Sequence, residues 1–501
     1  MRVSKTNYLI WRDCRHNAWL KVHAPEIYRA KPLSAFDQTI IETGNDVDAL
    51  ARRLFPGGID IPRDGFVETR QHIANRTPVL YQPVFATDSL TTACDILVLN
   101  GGVYDLYEVK ASTSGEDKSA KDDLYAHDLG FQTHLLNTLE VPVGRSMLVR
   151  LNSDYIRNGA LDLDQLFTKE DFTERVTALL PDIASECVAA QCDLSEASPL
   201  PAPCGCLFKG RSSHCTTFAH TNPNVPEYSV HDIARIGASK KKLASLIEQN
   251  VLMIADVPAE FELSTIQSNQ VAVAKSRQPI IDVPAIAGFL SGIEEPIAFL
   301  DYETFAAALP RFDGYYPFDQ IPFQFSLDVV EGGTIAHHEF LFTEPTSPDA
   351  AFVAALELYL PNSGSIVVWN KAFECGINRK LAERTPAVTA MMESINTRVV
   401  DLEDVFKKQM MVHPGFKGRT SIKLVLPTLV PALSYKDQNI QEGATASDTW
   451  NRIVTGQIDA AIVDEKRKDL LSYCALDTRA MVEIWKALCD ITRANARHVA
   501  A

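Results

Sequence analysis

The sequence predicts an α/β protein made of two α/β domains joined by a small helical linker. In the first half, strand patterns enclose a hairpin with its turn at Asn100-Gly101-Gly102, and a helix and a further strand follow. In the second half, three successive strand patterns (297–301, 323–330 and 335–343) precede a helix at 350–360, a strand at 365–369 and a helix at 373–382. Between them, residues 228–270 read only as short helices. The expected boundaries are 1–225, 226–290 and 291–501.

Composition agrees with this division. At 501 residues, with 46% apolar and 22% charged residues, the chain suits two or three globular domains. No run approaches the ~18 apolar residues of a membrane span, and the N-terminus lacks the apolar core of a signal peptide. The expected location is cytoplasmic. A net charge of −16 argues against a chain that coats nucleic acid over its whole surface. Two acid-free stretches stand out against that background. Residues 405–436 carry Lys407, Lys408, Lys417, Arg419, Lys423 and Lys436, and residues 233–247 carry Arg235 and Lys240 to Lys242. Chance composition is the plain alternative for either.

Ser4-Lys5-Thr6 caps an expected helix over 7–22 that carries Cys14. Helical periodicity over 44–54 stops at Phe55-Pro56-Gly57-Gly58. In the hairpin, Asp95 lies near the start of the first strand. Glu108 and Lys110 lie two apart on the second, and therefore on one face. Two carboxylates and an ammonium so arranged suit hydrolysis of a phosphodiester. Asp95 and Glu108 would hold Mg2+ or Mn2+, and Lys110 would stabilise the nucleophile or the developing charge. The plain alternative is an ordinary amphipathic hairpin.

These residues match the PD-(D/E)XK nuclease pattern. With Ser4-Lys5-Thr6, Cys14, Gln132 on the next helix and Tyr155 after a strand at 146–151, they resemble RecB-type nucleases related to the CRISPR-associated exonucleases. The resemblance implies a restriction-endonuclease-like fold and a catalytic role for Lys110 and Gln132. It also implies a metal-binding histidine four residues after a glycine like Gly44, where this chain has Asp48.

Ten cysteines in a cytoplasmic chain read as metal ligands where they cluster. Cys187, Cys192, Cys204, Cys206 and Cys215 form such a cluster. The resemblance implies that one early and three late cysteines clamp the domain's ends together around an iron–sulfur cluster. The expected set is Cys14, Cys192, Cys206 and Cys215, with Cys204 a near-equal candidate and Cys187 a further one. A 4Fe-4S cluster is expected, with zinc the alternative.

In the middle, 230–236 and 240–249 read as a helix pair about Gly237-Ala238-Ser239. Lys240 at the second helix start would hold a phosphate, unless this is a solvated linker helix.

In the second half, Asp301 and Glu303 share a strand face, and like charges so close repel unless a cation lies between them. A solvated strand end is the plain alternative. Another acid, Glu374, follows in Trp369-Asn370-Lys371-Ala372-Phe373-Glu374, and Tyr473 lies one helical turn before Asp477. In this order the three motifs resemble those of the DEDD exonuclease superfamily, in its tyrosine-bearing branch. The resemblance covers roughly residues 291–501 and implies a ribonuclease-H-like fold, two divalent metals and 3′–5′ removal of nucleotides. Asp301, Glu303, Glu374 and Asp477 would be metal ligands, Tyr473 would position or deprotonate the attacking water, and Asn370 would face substrate. The family's second acid is normally Asp, so Glu374 is a departure, with Asp401 a possible substitute. Lys417, Arg419 and Lys423 would hold the entering strand's phosphates.

The whole chain resembles an uncharacterised bacterial family that fuses a RecB-like nuclease to a DEDD-like module. The expectation is a metal-dependent nuclease acting on DNA, single-stranded or with free ends, in DNA processing, repair or defence. Three alternatives stay open: one active module beside a binding platform, an RNA-processing enzyme, and a non-enzymatic nucleic-acid scaffold.

Overall fold

The computed structural model describes residues 1–29, 33–114, 118–201 and 203–499. Contacts divide the chain into two units, Met1–Val225 with Ala308–Asp319, and Pro226–Ala307 with Gln320–Ala501. Residues 226–290 therefore group with the second unit. The excursion at 308–319 groups with the first, where Gly314 N–H donates to the Arg157 carbonyl at 2.9 Å and Ala308 joins the core of Val149 and Tyr155.

The first unit is built on a six-stranded mixed sheet whose spatial order follows the chain. Its strands are β1 (Ile59–Asp60), β2 (Val79–Tyr81), β3 (Ile96–Asn100), β4 (Val103–Thr113), β5 (Val143–Leu151) and β6 (Phe167–Asp171). The β3–β4 hairpin pairs Asn100 with Val103 across Gly101 and Gly102, at φ +58° and +98°. A two-residue turn of this kind needs both residues left-handed, which glycine adopts without steric cost.

Before the sheet run α1 (Lys5–Asp13) and α2 (Ala35–Arg52). The helix expected over 7–22 is broken at Cys14, which is extended (φ −156°, ψ 110°) between α1 and a second helix, Arg15–His23. Parallel β4 and β5 are joined through α3 (Lys118–Thr138), as a parallel pair requires. Helix α4 (Thr173–Ser195) packs on α3, and a Cβ at Gly130 would collide with the Ile183 side chain. A larger residue there would force the end of the Ile183 side chain to move.

The second unit begins with short turns and helices α5 (Lys240–Glu248) and α6 (Thr265–Ser276). Of the expected helix pair only the second member forms. Residues 230–236 make two separate 3-10 turns, Val230–Asp232 and Ile236–Ala238, with Arg235 left-handed between them.

Five strands form the second sheet: β7 (Ile297–Ala306), β8 (Gln320–Glu331), β9 (Thr334–Leu341), β10 (Ile366–Val368) and β11 (Val399–Asp401). Their order is β9-β8-β7-β10-β11, with the first three antiparallel and the last two parallel to β7. On one face, Leu300 and Tyr302 pack with Phe352 of α7 (Asp349–Tyr359) and Ile377 of α8 (Lys371–Arg384). After α8 come α9 (Ile422–Leu429), α10 (Gly443–Val454) and the 37-residue α11 (Val463–Val499). Helix α11 lies along β7 and β8, with Gln324 Nε2 donating to the Leu470 carbonyl at 2.8 Å. The period of two along β7 thus sends Leu300 and Tyr302 into the core and Asp301 and Glu303 the other way.

Candidate active sites and a cysteine cluster

In the first unit, the approach to one strand, the middle of another and one turn of helix bring four charged groups and an amide together. Asp95 precedes β3, Glu108 and Lys110 project from β4, and Asp128 and Gln132 stand one turn apart on α3. Lys110 Nζ lies 2.6 Å from both Glu108 Oε1 and Asp128 Oδ2. Gln132 Nε2 donates to Glu108 Oε2 at 2.7 Å and to Asp128 Oδ1 at 3.0 Å. Asp95 Oδ2 accepts the Val109 N–H at 2.8 Å, which holds its carboxylate across the hairpin. A second ammonium enters from the start of α1: Lys5 Nζ donates to both Glu108 oxygens at 3.0 and 3.1 Å and lies 3.3 Å from Asp128.

The charges balance closely. Burial works to raise Glu108, but Lys110 and Lys5 outweigh it and hold the carboxyl well below the usual range. Burial, then the charge of Glu108, raises Asp95 to about 7. Burial opposes the charge of Lys110, and Glu108 and Asp128 overcome it, so the ammonium is held above its ordinary value. Asp48, where the resemblance has histidine, is tied to Arg52 Nη2 at 2.5 Å, and burial raises it. Tyr155 is buried in the core, its hydroxyl accepting the Asp162 N–H at 3.1 Å.

The second unit gathers acids without that balance. Asp301 and Glu303 come from β7, Glu374 from the first turn of α8, and Asp477 and Tyr473 from α11. Glu303, Glu374 and Asp477 are each at most 9% exposed. Burial, then the charges of Asp477, Glu303 and Glu374, pushes Asp301 well above the carboxylate range. Burial and Asp477 do the same to Glu303. Burial raises Asp477 to about 6, with the Tyr435 hydroxyl and Lys423 pulling it down. Glu374 rises to about 8 through burial, with Asp401 adding to it, and its Oε2 is buried without a hydrogen-bond partner. Among the described residues none of these four carboxylates is held in an ion pair, and the charges of Lys423 and Lys407 only partly offset their burial. Such a set fits a divalent cation, whose charge would replace the repulsion by attraction.

Three groups at this site escaped sequence reasoning. Tyr435 donates its hydroxyl to Asp477 Oδ1 at 2.6 Å. Gly443, at the start of α10, lies beside Glu303 Oε2 and the Tyr473 hydroxyl. The Cys474 Sγ stands 3.6 Å from Asp301 Oδ2. Lys423, expected on the strand path, lies near the acids: its Nζ is 5.5 and 5.6 Å from the ring centres of Tyr473 and Tyr435, and its charge acts on Asp477. Asn370, Lys417, Arg419 and Lys240 are exposed, and Arg419 lies 3.8 Å from Asp232. Asp401, the possible substitute for Glu374, is taken up in the fold, accepting the Lys371 N–H at 3.3 Å and the Glu403 N–H at 3.1 Å.

The thiols of Cys14, Cys204, Cys206 and Cys215 are buried, with all four sulfurs within 4.8 Å of one another. Four thiols that close can bind a metal, and the mixture of one early and three late positions suits either zinc or an iron–sulfur cluster. The expected set needs one correction: Cys192 is exposed and Cys204 takes its place. Helix α4 buries Val176, Ile183, Cys187, Ala190 and Leu194 along one stripe. Cys192 falls two residues past Ala190, about 200° around the helix and facing outward. Cys187 is on the buried stripe, in the unit's main core. Thr221 and Asn222 donate to the Cys204 sulfur at 3.3 Å each, which suits an electron-rich thiolate.

Residues 298–421 match the model of a family described as Domain of unknown function (DUF2779). That stretch contains Asp301, Glu303, Asn370 and Glu374 and ends before Tyr473 and Asp477. An uncharacterized protein of Ureaplasma parvum is 24% identical over 207 residues, covering 37% of this chain and 30% of the relative. A homologue of another uncharacterized protein, in Mycoplasma pneumoniae, is 25% identical over 220 residues, covering 38% of this chain and 32% of the relative. The Mycoplasma genitalium protein is 24% identical, with 39% and 32% covered. The chain thus spans about a third of the length of these curated relatives. What the comparisons establish is similarity to proteins of unknown function and, separately, a match to a family model over a stretch that carries the first two acidic motifs of the second unit.

Proposed function

We propose that the protein is a metal-dependent nuclease that hydrolyses DNA phosphodiester bonds, with two candidate sites and a thiolate-bound metal or iron–sulfur staple. The observation that carries the reading is the convergence of Asp301, Glu303 and Asp477, from two elements, into one buried site where their charges act on one another, with the charge of Glu374 also reaching Asp301. Buried carboxylates are costly, and a protein retains several together where they do chemistry or hold metal. The strand order β9-β8-β7-β10-β11 supports a ribonuclease-H-like unit, and the β3–β4 hairpin with its crossover helix α3 supports a restriction-endonuclease-like one.

In the second unit, Asp301, Glu303, Asp477 and Glu374 would hold Mg2+ or Mn2+, which when bound stabilises charge on the attacking and leaving oxygens of phosphate. Tyr473 then orients a water or a substrate oxygen as a neutral phenol, because burial and Asp477 hold its pKa above the ordinary value. Lys423 provides positive charge for a phosphate at the mouth of the site. In the first unit, Asp95 and Glu108 would hold the ion. Lys110, kept protonated by Glu108 and Asp128, is an electrostatic partner for developing negative charge.

The test is degradation of 5′- and 3′-labelled single-stranded DNA with Mg2+ or Mn2+ by wild type, Lys110→Ala, Asp301→Ala and the double variant. Loss in each single variant, with different product ladders, is the expected result. Loss in one alone makes the other unit a platform. RNA degraded in preference to DNA overturns the substrate, and no cleavage of either by folded, staple-loaded protein favours a scaffold.

A further inference from the structure

We propose that Cys474 gives the acidic site of the second unit a third, soft donor, so that the site takes a thiophilic divalent ion such as Zn2+ or Cd2+ in preference to Mg2+. The inference rests on the reading of Asp301 and Glu303 as metal ligands, and it extends that reading to a residue between Tyr473 and Asp477 to which the third motif gives no role.

Geometry carries it. One ligand atom each of Asp301, Glu303 and Cys474 lies within 4.8 Å of the others. The Cys474 Sγ is 3.6 Å from Asp301 Oδ2. Zinc bonds of about 2.3 Å to sulfur and 2.0–2.2 Å to oxygen, at a tetrahedral angle, separate two donors by roughly 3.5 Å. The thiol and one carboxylate oxygen are thus already spaced as two ligands of one ion. Cys474 lies three residues before Asp477 on α11, so both project to the same side of the helix.

A second observation points the same way. Glu374 Oε2, on a side chain only 3% exposed, has no hydrogen-bond partner, and its charge acts on Asp301. A buried, unpartnered carboxylate oxygen whose charge reaches Asp301 is one that a cation bound at this trio would help to satisfy. Oxygen donors alone suit Mg2+ and Mn2+, and adding a sulfur shifts the preference toward zinc and cadmium. On binding, the sulfur–metal bond forms as the thiol's proton leaves to solvent.

The experiment uses the full chain with its four-cysteine cluster loaded. Cd2+ and Mn2+ are titrated into wild type, Cys474→Ser, Cys474→Ala and Asp301→Asn, followed by calorimetry and by the ultraviolet charge-transfer band of cadmium thiolate. Thermal melts verify that each variant is folded. The wild type should show a cadmium–sulfur band beyond that of the cluster. Both Cys474 variants should lose that band and bind Cd2+ at least ~10-fold more weakly, with Mn2+ affinity changed less than ~3-fold. Asp301→Asn should weaken both ions. Cd2+ affinity and spectrum unchanged in both Cys474 variants would overturn the proposal and leave Cys474 a buried thiol hydrogen-bonded to Asp301. Mn2+ and Cd2+ binding unaffected by Asp301→Asn would sink the metal reading of the site itself.

Discussion

The two acidic sites solve one electrostatic problem in opposite ways. In the first unit, Lys5 and Lys110 meet Glu108 and Asp128 at 2.6–3.3 Å, so burial is offset by ion pairs made within the fold. In the second, Asp301, Glu303, Glu374 and Asp477 repel one another, and the ammonium beside them, Lys423, donates to the Gln441 carbonyl at 2.6 Å. A pre-neutralised site keeps its geometry without metal, but an incoming ion must compete with lysines for the same oxygens. A site without paired cations keeps protons on its acids, and a bound cation replaces those protons and neutralises the carboxylates together. On the proposed nuclease reading, the difference predicts that the second unit is the more metal-dependent of the two, in stability as well as in activity.

The largest test of this contrast is Lys110→Met. It leaves Glu108 and Asp128 buried with half their compensation, and breaking a buried pair costs about 3–5 kcal/mol. Lys423→Met, in the metal-free protein, should cost about 1 kcal/mol or less, because Lys423 is in no ion pair with the acids among the described residues. Hydrogen exchange at β4 and at β7 reads each unit separately. Equal losses in the two variants would erase the distinction.

Next in size is stabilisation by the ion. Mn2+ at about 100 times its dissociation constant should protect β7 and α11 by about 2.7 kcal/mol, with a smaller gain at β4. Asp301→Asn should abolish the gain in the second unit and leave the first unchanged. A larger gain at β4 would reverse the order of metal dependence.

How much of this the sequence disclosed depended on the spacing of the residues. Pairs separated by two on a strand or four on a helix were legible, because local geometry sets their common face: Asp301 with Glu303, Glu108 with Lys110, Tyr473 with Asp477. The strands that carry them were legible from their apolar runs. Lys5 was visible only as part of a helix cap, because it reaches Glu108 across 103 residues and no local period encodes that approach. Tyr435 likewise reaches Asp477 across 42 residues, out of a segment notable only for lacking acids. The exchange of Cys204 for Cys192 was decidable in principle, since extending the helical period of α4 to Ser195 turns Cys192 outward. The Pro- and Ser-rich composition just beyond concealed how far that helix runs. The grouping of 308–319 with the first unit rests on tertiary contacts that no local pattern records.

The remaining effect, a slope that is modest per pH unit and per group, is the one whose sign separates the sites most cleanly. Glu374 is raised in the folded protein to about 8, from an ordinary 4.5, chiefly by burial. Between those values the folded state holds a proton that the unfolded state has released, so stability is fullest at low pH and falls as pH rises toward 8. Asp301 and Glu303, also raised, add to the same slope. Glu108 is depressed, so its contribution is present above the ordinary carboxylate range and lost only as pH falls below it. Asp95, raised to about 7, and Asp128, also raised, give the first unit a decline of the same sign as Glu374, from fewer raised acids. In EDTA, exchange protection at β7 and α8 should therefore decline from about pH 5 to pH 8, by at most about 1.4 kcal/mol per pH unit for each titrating group. The decline at β4 should be shallower. Glu374→Gln should flatten the slope in part, leaving the share of Asp301 and Glu303, and saturating Mn2+ should remove it, because a bound cation lowers the carboxylates it neutralises. Protection at β7 that rose over this range without metal would mean that the acids of the second unit have found counter-charges after all, and the contrast between the two sites would lose its basis.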